Sequence, residues 1–171
     1  MLVDGFEEIE TVTPVDILRR AGIEVVVASL KEMTVTGRCG VRVVVDANLS
    51  DLNTASFDLL FIPGGPGVAE LRADGRAVAL AREFSATGKP VAAICAAPLV
   101  MMDAGLLEGR RFTAYHTVRE ELGGGLDDRV VIDGNLITSR GAGTALDFAL
   151  ALVAFLTDQT SADRVAEEIM A

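Results

Sequence analysis

The most reactive candidate in the sequence is a cysteine between a short apolar run and a run of small residues. Cys95 follows Val91–Ile94 and precedes Ala96-Ala97-Pro98. This order predicts a strand, a sharp turn and a helix, with the thiol at the positive end of the helix dipole beside free backbone N–H groups. Both effects favour the thiolate and lower the pKa of the thiol. Hydrolases expose a serine nucleophile on the same kind of turn. The alternative is a small buried apolar residue, as free cysteines often are.

Two glycines and an acidic cluster are expected to lie near this cysteine. Pro63-Gly64-Gly65 follows an apolar run, and its glycines allow a close approach and leave N–H groups free to hold an oxyanion. On its own this motif also fits an ordinary tight turn. Glu10 belongs to a cluster with Glu7 and Glu8, and apolar neighbours place it at the margin of the core. Desolvation would keep such a carboxyl protonated, able to donate to the thiolate.

The chain has one histidine, His116, which is either a base for Cys95 or a structural residue. With two cysteines far apart in sequence, it forms no metal-type cluster. Cys39 and Cys95 are both expected to be free thiols in a reducing cytoplasm, because the acidic N-terminus is unlike a signal peptide.

The elements that must position these residues alternate along the chain. The predicted helices are Glu7–Ala21 with a break or an early-turn position at Pro14, Val68–Thr87 as one or two helices, Leu99–Leu107, Thr144–Leu156 and Ser161–Met170. The predicted strands are Ile23–Leu30, a hairpin within Met33–Val45, Phe57–Ile62, Val91–Ile94, Phe112–Ala114 and a hairpin of Val130–Ile132 with Leu136–Thr138. This alternation predicts a mostly parallel sheet with helices on both faces. Ligands bind such sheets at the carboxyl ends of the strands, where Cys95, Pro63-Gly64-Gly65 and Asp4–Glu10 are all expected to lie.

Composition restricts the partners. The 171 residues are 50% apolar, and no linker divides them, so a single domain over 1–171 is expected. The net charge is −10, which disfavours nucleic acid and acidic membrane surfaces as partners. The longest uncharged run, Pro90–Met102, is too short to span a bilayer and contains two prolines.

Taken together, these residues resemble the ThiJ/PfpI superfamily, in the branch of the parkinsonism-associated protein deglycase and its bacterial relatives. The resemblance covers nearly the whole chain. It is carried by Gly5–Val12, Pro14-Val15-Asp16, Arg19–Ile23, Asp46-Ala47, Pro63-Gly64-Gly65, Ala92–Pro98, Thr138–Gly141 and Gly143-Thr144.

The resemblance implies a flavodoxin-like α/β sandwich, a homodimer and a reaction that needs no cofactor. It implies that Cys95 is the nucleophile and the oxidation-prone thiol, and that Glu10 is its protonated partner. Gly65 and Ala96, with Gly64 in the same loop, would supply the oxyanion donors. His116 falls where many relatives keep a histidine in the site. Asp16 and Arg20 fall where the family has polar residues near the pocket or the dimer seam.

The sequence departs from the family pattern at two places. Only Met1–Val3 precede the Asp4-Gly5 turn, whereas relatives have a longer first strand, which favours a truncated or wrongly chosen start. Arg38-Cys39 also stands where relatives often carry a Ser-Arg pair, so an arginine contributed by the partner subunit would be displaced by one residue.

The leading functional hypothesis is a glyoxalase or deglycase that acts on methylglyoxal-type dicarbonyls or on early glycation adducts. A redox-sensing or chaperone-like stress protein would use the same thiol. Peptidases of the superfamily place a histidine directly after the nucleophile, where this chain has Ala96. A glutamine amidotransferase needs a late His-x-Glu, and no histidine follows His116. A non-catalytic α/β domain remains as a further alternative.

Overall fold

The computed structural model describes all 171 residues, in six α-helices, eight strands and four short 3-10 turns. The helices are α1 (Glu8–Arg20), α2 (Val68–Asp74), α3 (Arg76–Ala86), α4 (Pro98–Asp103), α5 (Ala145–Leu156) and α6 (Gln159–Glu168). The strands are β1 (Ala28–Ser29), β2 (Thr34–Thr36), β3 (Arg42–Val44), β4 (Ala47–Asn48), β5 (Leu60–Ile62), β6 (Val91–Ile94), β7 (Val130–Asp133) and β8 (Leu136–Ser139).

The central sheet has the strand order β5-β6-β8-β7. The first three of these strands are parallel, and β7 returns antiparallel beside β8 through the predicted hairpin. Two further pairs lie outside this sheet, a parallel pair of β1 with β4 and the hairpin of β2 with β3 that the sequence predicts. The carboxyl ends of β5 and β6 are adjacent, so the loops that follow them meet at one edge.

Helices cover both faces of the sheet. The central strand β6 shows the division, because Val91 and Ala93 pack with α2, α3 and α4, whereas Ala92 and Ile94 pack with α1, α5 and α6. All four side chains are fully buried, as expected for a parallel strand covered on both faces. The predicted α/β sandwich is therefore confirmed.

The predicted helices are all present, but the one predicted over Leu99–Leu107 is shorter, because α4 ends at Asp103. Pro14 lies inside α1 without ending it, because it is buried in the helix that packs against α5. The predicted segment Val68–Thr87 forms two helices, separated at Gly75, whose φ of +82° is a left-handed conformation that favours glycine. No helix in the structure combines the length and the apolar character needed to cross a membrane.

Three predicted strands are shorter than expected. Phe112–Ala114 forms only a single bridge, between Thr113 and Leu126. Of Ile23–Leu30 only Ala28–Ser29 pairs as a strand, and of Phe57–Ile62 only Leu60–Ile62 does. The segment between these two strands is Met1–Val3, which bridges to Ser29 through Leu2 and whose terminal amine donates to the Phe61 carbonyl.

Candidate active site

Cys95 occupies a sharp turn between β6 and α4. Its φ is +66°, a left-handed conformation that is unfavourable for any residue with a Cβ. The turn is held from both sides, because the Cys95 N–H donates to the Ser139 carbonyl (2.9 Å) and its carbonyl accepts the Tyr115 N–H (2.8 Å). The side chain is 8% exposed, so the thiol faces a small opening rather than bulk water.

Two backbone N–H groups point at the Cys95 sulfur. Those of Gly65 and Ala96 both act to lower the pKa of the thiol, because they stabilise the thiolate. Gly64 has a different role, since its N–H donates to Glu10 Oε2 at 3.0 Å. The prediction that Gly64 supplies an oxyanion donor is therefore wrong, because its one donor is already engaged.

Glu10 lies on the first turn of α1 and is completely buried. Burial, with a smaller effect of the nearby Glu7 carboxylate, raises the pKa of its carboxyl to about 7, although interactions with Cys95 and Gly64 act in the opposite direction. Oε1 has no N–H or amide partner. Oε1 and the Cys95 sulfur both line the space beside Gly141, and the interaction of the Glu10 carboxyl with the Cys95 side chain lowers the pKa of the carboxyl.

The thiol and the carboxyl compete for one proton. Burial and the Glu10 carboxylate raise the pKa of the Cys95 thiol to about 12, opposite to the lowering that the sequence predicts, because the carboxylate and the desolvation outweigh the N–H groups. The effect of the carboxylate holds only while Glu10 is ionised. When Glu10 keeps the proton, its O–H is a donor for the thiolate. Glu10 therefore loses its proton near pH 7, while the thiol keeps its own at that pH.

Small residues make this close packing possible. A Cβ on Gly64 would lie 2.6 Å from the Cys95 Cβ and 2.6 Å from Glu10 Oε2, and one on Gly65 would lie 2.4 Å from the Gly5 carbonyl oxygen. Gly65 also has a φ of +101°. Neither position can accept a side chain without displacing the acid, the thiol or the loop between Asp4 and Glu7.

His116 follows Tyr115 on a 3-10 turn and is exposed. Its ring lies 4.2 Å from the Tyr115 ring, centroid to centroid, and the imidazole makes no hydrogen bond to Cys95. The segment around His116 therefore contacts Cys95 through the Tyr115 N–H, whereas the His116 imidazole lies at the surface.

Asp16 and Arg20 lie further along α1, on its exposed side. Arg20 pairs with Asp16 one turn away (3.0 Å) and with Glu168 of α6 (3.1 Å). These contacts join two helices of the same face and place neither side chain at Cys95.

Three residues of the site were not singled out as functional from the sequence. Glu7 caps α1, with Oε2 accepting the Glu10 N–H at 2.8 Å, and an acidic residue three positions before Glu10 is the signal that could have shown it. Tyr115 and Gly141 line the space beside the thiol, and no local pattern marks them. No group of three histidine, cysteine or carboxylate side chains comes together to hold a metal.

Comparison with known proteins identifies the class. Residues 1–155 match the model of the DJ-1/PfpI family, and the chain belongs to this family. It is 42% identical over 157 residues to protein DJ-1 homolog B of Arabidopsis thaliana, which covers 89% of this chain but only 36% of the plant protein. It is 38% identical over 144 residues to a Pyrococcus abyssi protein named as a deglycase, covering 82% of this chain and 87% of that one.

The fold agrees with this assignment. The structure of oxidised DJ-1 from Toxoplasma gondii superimposes with a TM-score of 0.92 at 34% identity, covering 98% of this chain and 94% of that one. The flavodoxin-like arrangement expected from the sequence is thus the arrangement found.

Proposed function

We propose that this protein is a cysteine-dependent, cofactor-free glyoxalase or deglycase that acts on methylglyoxal-type dicarbonyls or early glycation adducts. One observation carries the proposal: the buried Glu10 carboxyl lies beside the buried Cys95 thiol, with the Gly65 and Ala96 N–H groups close to the sulfur. Deglycase is also the name given to the Pyrococcus abyssi relative.

The reaction begins when the Glu10 carboxylate takes the proton of the Cys95 thiol. The sulfur adds to the aldehyde carbon of methylglyoxal, and the carbonyl oxygen takes the negative charge and then this proton from Glu10, which gives a hemithioacetal and restores the carboxylate. We assign stabilisation of the charged oxygen to the Gly65 and Ala96 N–H groups, which lie close to the sulfur.

Glu10 is the group that moves the proton. As a carboxylate it takes the proton from the former aldehyde carbon, and as an acid it returns a proton to the neighbouring carbon, so that a lactoyl thioester forms on Cys95. Water then hydrolyses the thioester and releases lactate and the thiol. The sum is methylglyoxal plus water giving lactate, with no net oxidation. We assign this step to Glu10 rather than to His116, because only the Glu10 carboxyl faces the thiol.

The test is turnover of methylglyoxal by the wild-type protein and three variants, without added cofactor. Cys95→Ser should abolish activity, and Glu10→Gln should lower kcat/KM by about 10²- to 10⁴-fold, the usual contribution of a general acid–base group. Cys39→Ser is the matched control, since Cys39 is the exposed second cysteine, and it should retain activity. Wild-type kcat/KM should rise through an apparent pKa of about 7, where the pair loses its first proton. Equal rates for wild type and Cys95→Ser would contradict the proposal.

A second candidate function is redox sensing or a chaperone-like stress response through Cys95. The N–H groups that face the sulfur would also hold the oxygens of a sulfinate, and the Toxoplasma relative is described as oxidised. Mild peroxide should then add oxygen to Cys95 before Cys39, as read by peptide mass spectrometry. Equal oxidation of the two cysteines, or faster oxidation of exposed Cys39, would exclude this function.

Domain organisation, cellular location and oligomeric state also follow from the family resemblance as proposals. We propose that residues 1–171 act as one domain in the cytoplasm and as a homodimer, with Asp16 and Arg20 at or near the seam. Analytical ultracentrifugation of wild type and Arg20→Glu tests the dimer, and a monomeric wild type would contradict it.

Peptidase activity is the least favoured alternative, because Ala96 follows the nucleophile and His116 is exposed at the surface.

A further inference from the structure

A pair of buried hydroxyl groups lies next to the thiol site. Ser139 ends β8 and Thr144 directly precedes α5, and both side chains are almost completely buried. Their side-chain oxygens are 2.6 Å apart. The proposed reaction uses neither residue, yet the loop between them, residues 140–143, contains Gly141, which lies beside both the thiol and the carboxyl of the site.

The hydrogen atoms of the two hydroxyl groups follow from their partners, since each hydroxyl has only one to donate. Ser139 Oγ lies 2.7 Å from the Arg129 carbonyl. When Ser139 donates to that carbonyl, Thr144 donates to Ser139 Oγ, and Thr144 Oγ1 accepts the Gly141 N–H at 3.2 Å. The Gly141 carbonyl needs no hydroxyl, because it already accepts the Thr144 N–H at 2.8 Å. One chain of hydrogen bonds thus runs from the Gly141 N–H to the Arg129 carbonyl.

The Thr144 hydroxyl serves this loop and not the helix that follows it. A threonine at the N-cap of a helix usually accepts an N–H group of the first helical turn. Thr144 is the N-cap of α5, but its side chain accepts no N–H of that helix. The hydroxyl instead turns back to Ser139 and Gly141. Capping of α5 therefore does not explain why a hydroxyl is buried at this position.

Gly141 forms a backbone wall of the thiol site. It is buried, and a Cβ built on it would lie 3.7 Å from Glu10 Oε1 and 3.9 Å from the Cys95 sulfur, at ordinary contact distances. The Tyr115 ring closes the same space, at 3.4 Å from that point. Glu10 Oε1 is buried and has no hydrogen-bond donor of the protein. The loop that carries Gly141 is therefore part of what separates this oxygen from water.

The hydroxyl chain also reaches the turn that carries the nucleophile. The Ser139 carbonyl accepts the Cys95 N–H at 2.9 Å, and this bond helps to hold Cys95 at its left-handed φ of +66°. Loss of the Thr144 hydroxyl would leave the Gly141 N–H without its acceptor in a buried place. Because an unpaired buried donor is costly, the loop would move until water reached it.

We propose that Thr144 is a positioning residue, whose hydroxyl holds Gly141 against Glu10 and Cys95 and so excludes water from that side of the pair. Burial is the largest cause of the raised pKa of the Glu10 carboxyl, so water beside Gly141 would lower this pKa toward its ordinary value of 4.5. A carboxylate of lower pKa is a weaker base, and turnover would fall with it. Only this last step rests on the proposed function.

The test is the pKa of Glu10 itself, measured on the full chain by NMR titration with carbon-13 labelled glutamate and assigned with Glu10→Gln. In Thr144→Val, which keeps the shape of threonine without its hydroxyl, the pKa should fall from about 7 to about 6 or below. Thr144→Ser keeps the hydroxyl and should retain the wild-type value. The other groups that act on Glu10 are Glu7, Arg38 and Cys95, and these variants leave all three in place. An unchanged pKa in Thr144→Val, or an equal fall in Thr144→Ser, would overturn the proposal.

Thr138→Val is the matched control for a general loosening of the fold. Thr138 is as buried as Thr144, and its hydroxyl oxygen accepts the Thr113 N–H at 2.9 Å, so this variant also leaves a buried N–H without its acceptor. It should lower stability without changing the pKa of Glu10, because its hydroxyl does not hold Gly141. Equal pKa changes in Thr138→Val and Thr144→Val would refute the positioning role. If Thr144→Val does not fold, Thr144→Ala makes the same comparison.

Turnover of methylglyoxal tests the consequence for the proposed reaction. Thr144→Val should lower kcat about tenfold at pH 8 and change KM less than about twofold, and Thr144→Ser should restore kcat. A wild type without turnover would contradict the proposed function, whereas the NMR titration would still decide the role of Thr144. In an active wild type, a lowered Glu10 pKa with an unchanged pH profile of kcat would refute the link between Thr144 and the reaction.

Discussion

Replacing Glu10 by glutamine should change how the stability of the protein depends on pH. Burial raises the pKa of Glu10 from 4.5 to about 7. A carboxyl with a higher pKa in the folded protein holds its proton there after the unfolded chain has lost it. Stability therefore falls as pH rises between these two values. For the shift from 4.5 to about 7, the loss between pH 5 and pH 8 is about 2.5 kcal/mol.

Glutamine removes this titration while keeping the shape of the side chain. Its amide oxygen can accept the Gly64 N–H as Oε2 does, and its NH₂ group then takes the place of Oε1 beside the thiol. The free energy of unfolding of Glu10→Gln relative to wild type should thus become more favourable by about 2.5 kcal/mol as pH rises from 5 to 8. The raised pKa of Cys95 contributes little in this range, because an unfolded thiol ionises near pH 9.

The assay is equilibrium unfolding in urea at pH 5, 6, 7 and 8 at constant ionic strength. Burial lowers the pKa of the Met1 amine from 8.0 to about 5, and this group makes stability rise with pH. Its contribution is present in both proteins and cancels in their difference. Glu8→Gln is the matched control, because the pKa of Glu8 is lowered from 4.5 and lies below the range measured. Parallel pH profiles for wild type and Glu10→Gln would refute the reasoning.

Two further substitutions test the packing of the site and of the core. Gly64→Ala places a Cβ 2.6 Å from both Cys95 and Glu10, so it should destabilise the fold by about 1–3 kcal/mol and lower methylglyoxal turnover, as measured by urea unfolding and initial rates. Wild-type stability and rate in this variant would show that the pair tolerates displacement. Leu152→Ala opens a cavity at a fully buried position of α5. It should lower the free energy of unfolding in urea by about 2–5 kcal/mol, while activity at 20 °C persists. A decrease under about 1 kcal/mol would mean that neighbouring side chains move in to fill the cavity.

Much of the fold could be predicted because it depends on short-range patterns. Val91–Ile94 is observed with the predicted bounds, since a run of small and β-branched apolar residues ends where Cys95 begins. The hairpin at Asp133–Leu136 follows from its turn residues. Pro14 was the misleading signal. A proline inside a helix removes one hydrogen bond, but burial against α5 keeps α1 intact, and that contact joins parts of the chain more than 100 residues apart.

The site was predicted less completely than the fold, for reasons of distance and desolvation. That Gly64 donates to Glu10 depends on two segments 54 residues apart meeting at one sheet edge. The rule for the carboxyl ends of parallel strands brings their loops together but does not say which N–H meets which acceptor. Likewise the turn at Cys95 suggests a lowered thiol pKa, whereas burial and a facing carboxylate raise it. Burial is a property of the whole fold.

The position of Glu10 argues for chemistry rather than for structure alone. A purely structural residue there would need only to accept the Gly64 N–H, which a glutamine does without the loss of stability at pH 8. Glu10 Oε1 satisfies no N–H of the protein and is buried, an arrangement that packing and capping leave unexplained. The neighbouring Cys95 thiol explains this position of Oε1. A carboxyl group beside a thiol can take up the proton of the thiol and give it back. Because Glu10 loses its proton near pH 7, the carboxylate that weakens the fold at neutral pH is also the base that the proposed reaction needs beside Cys95.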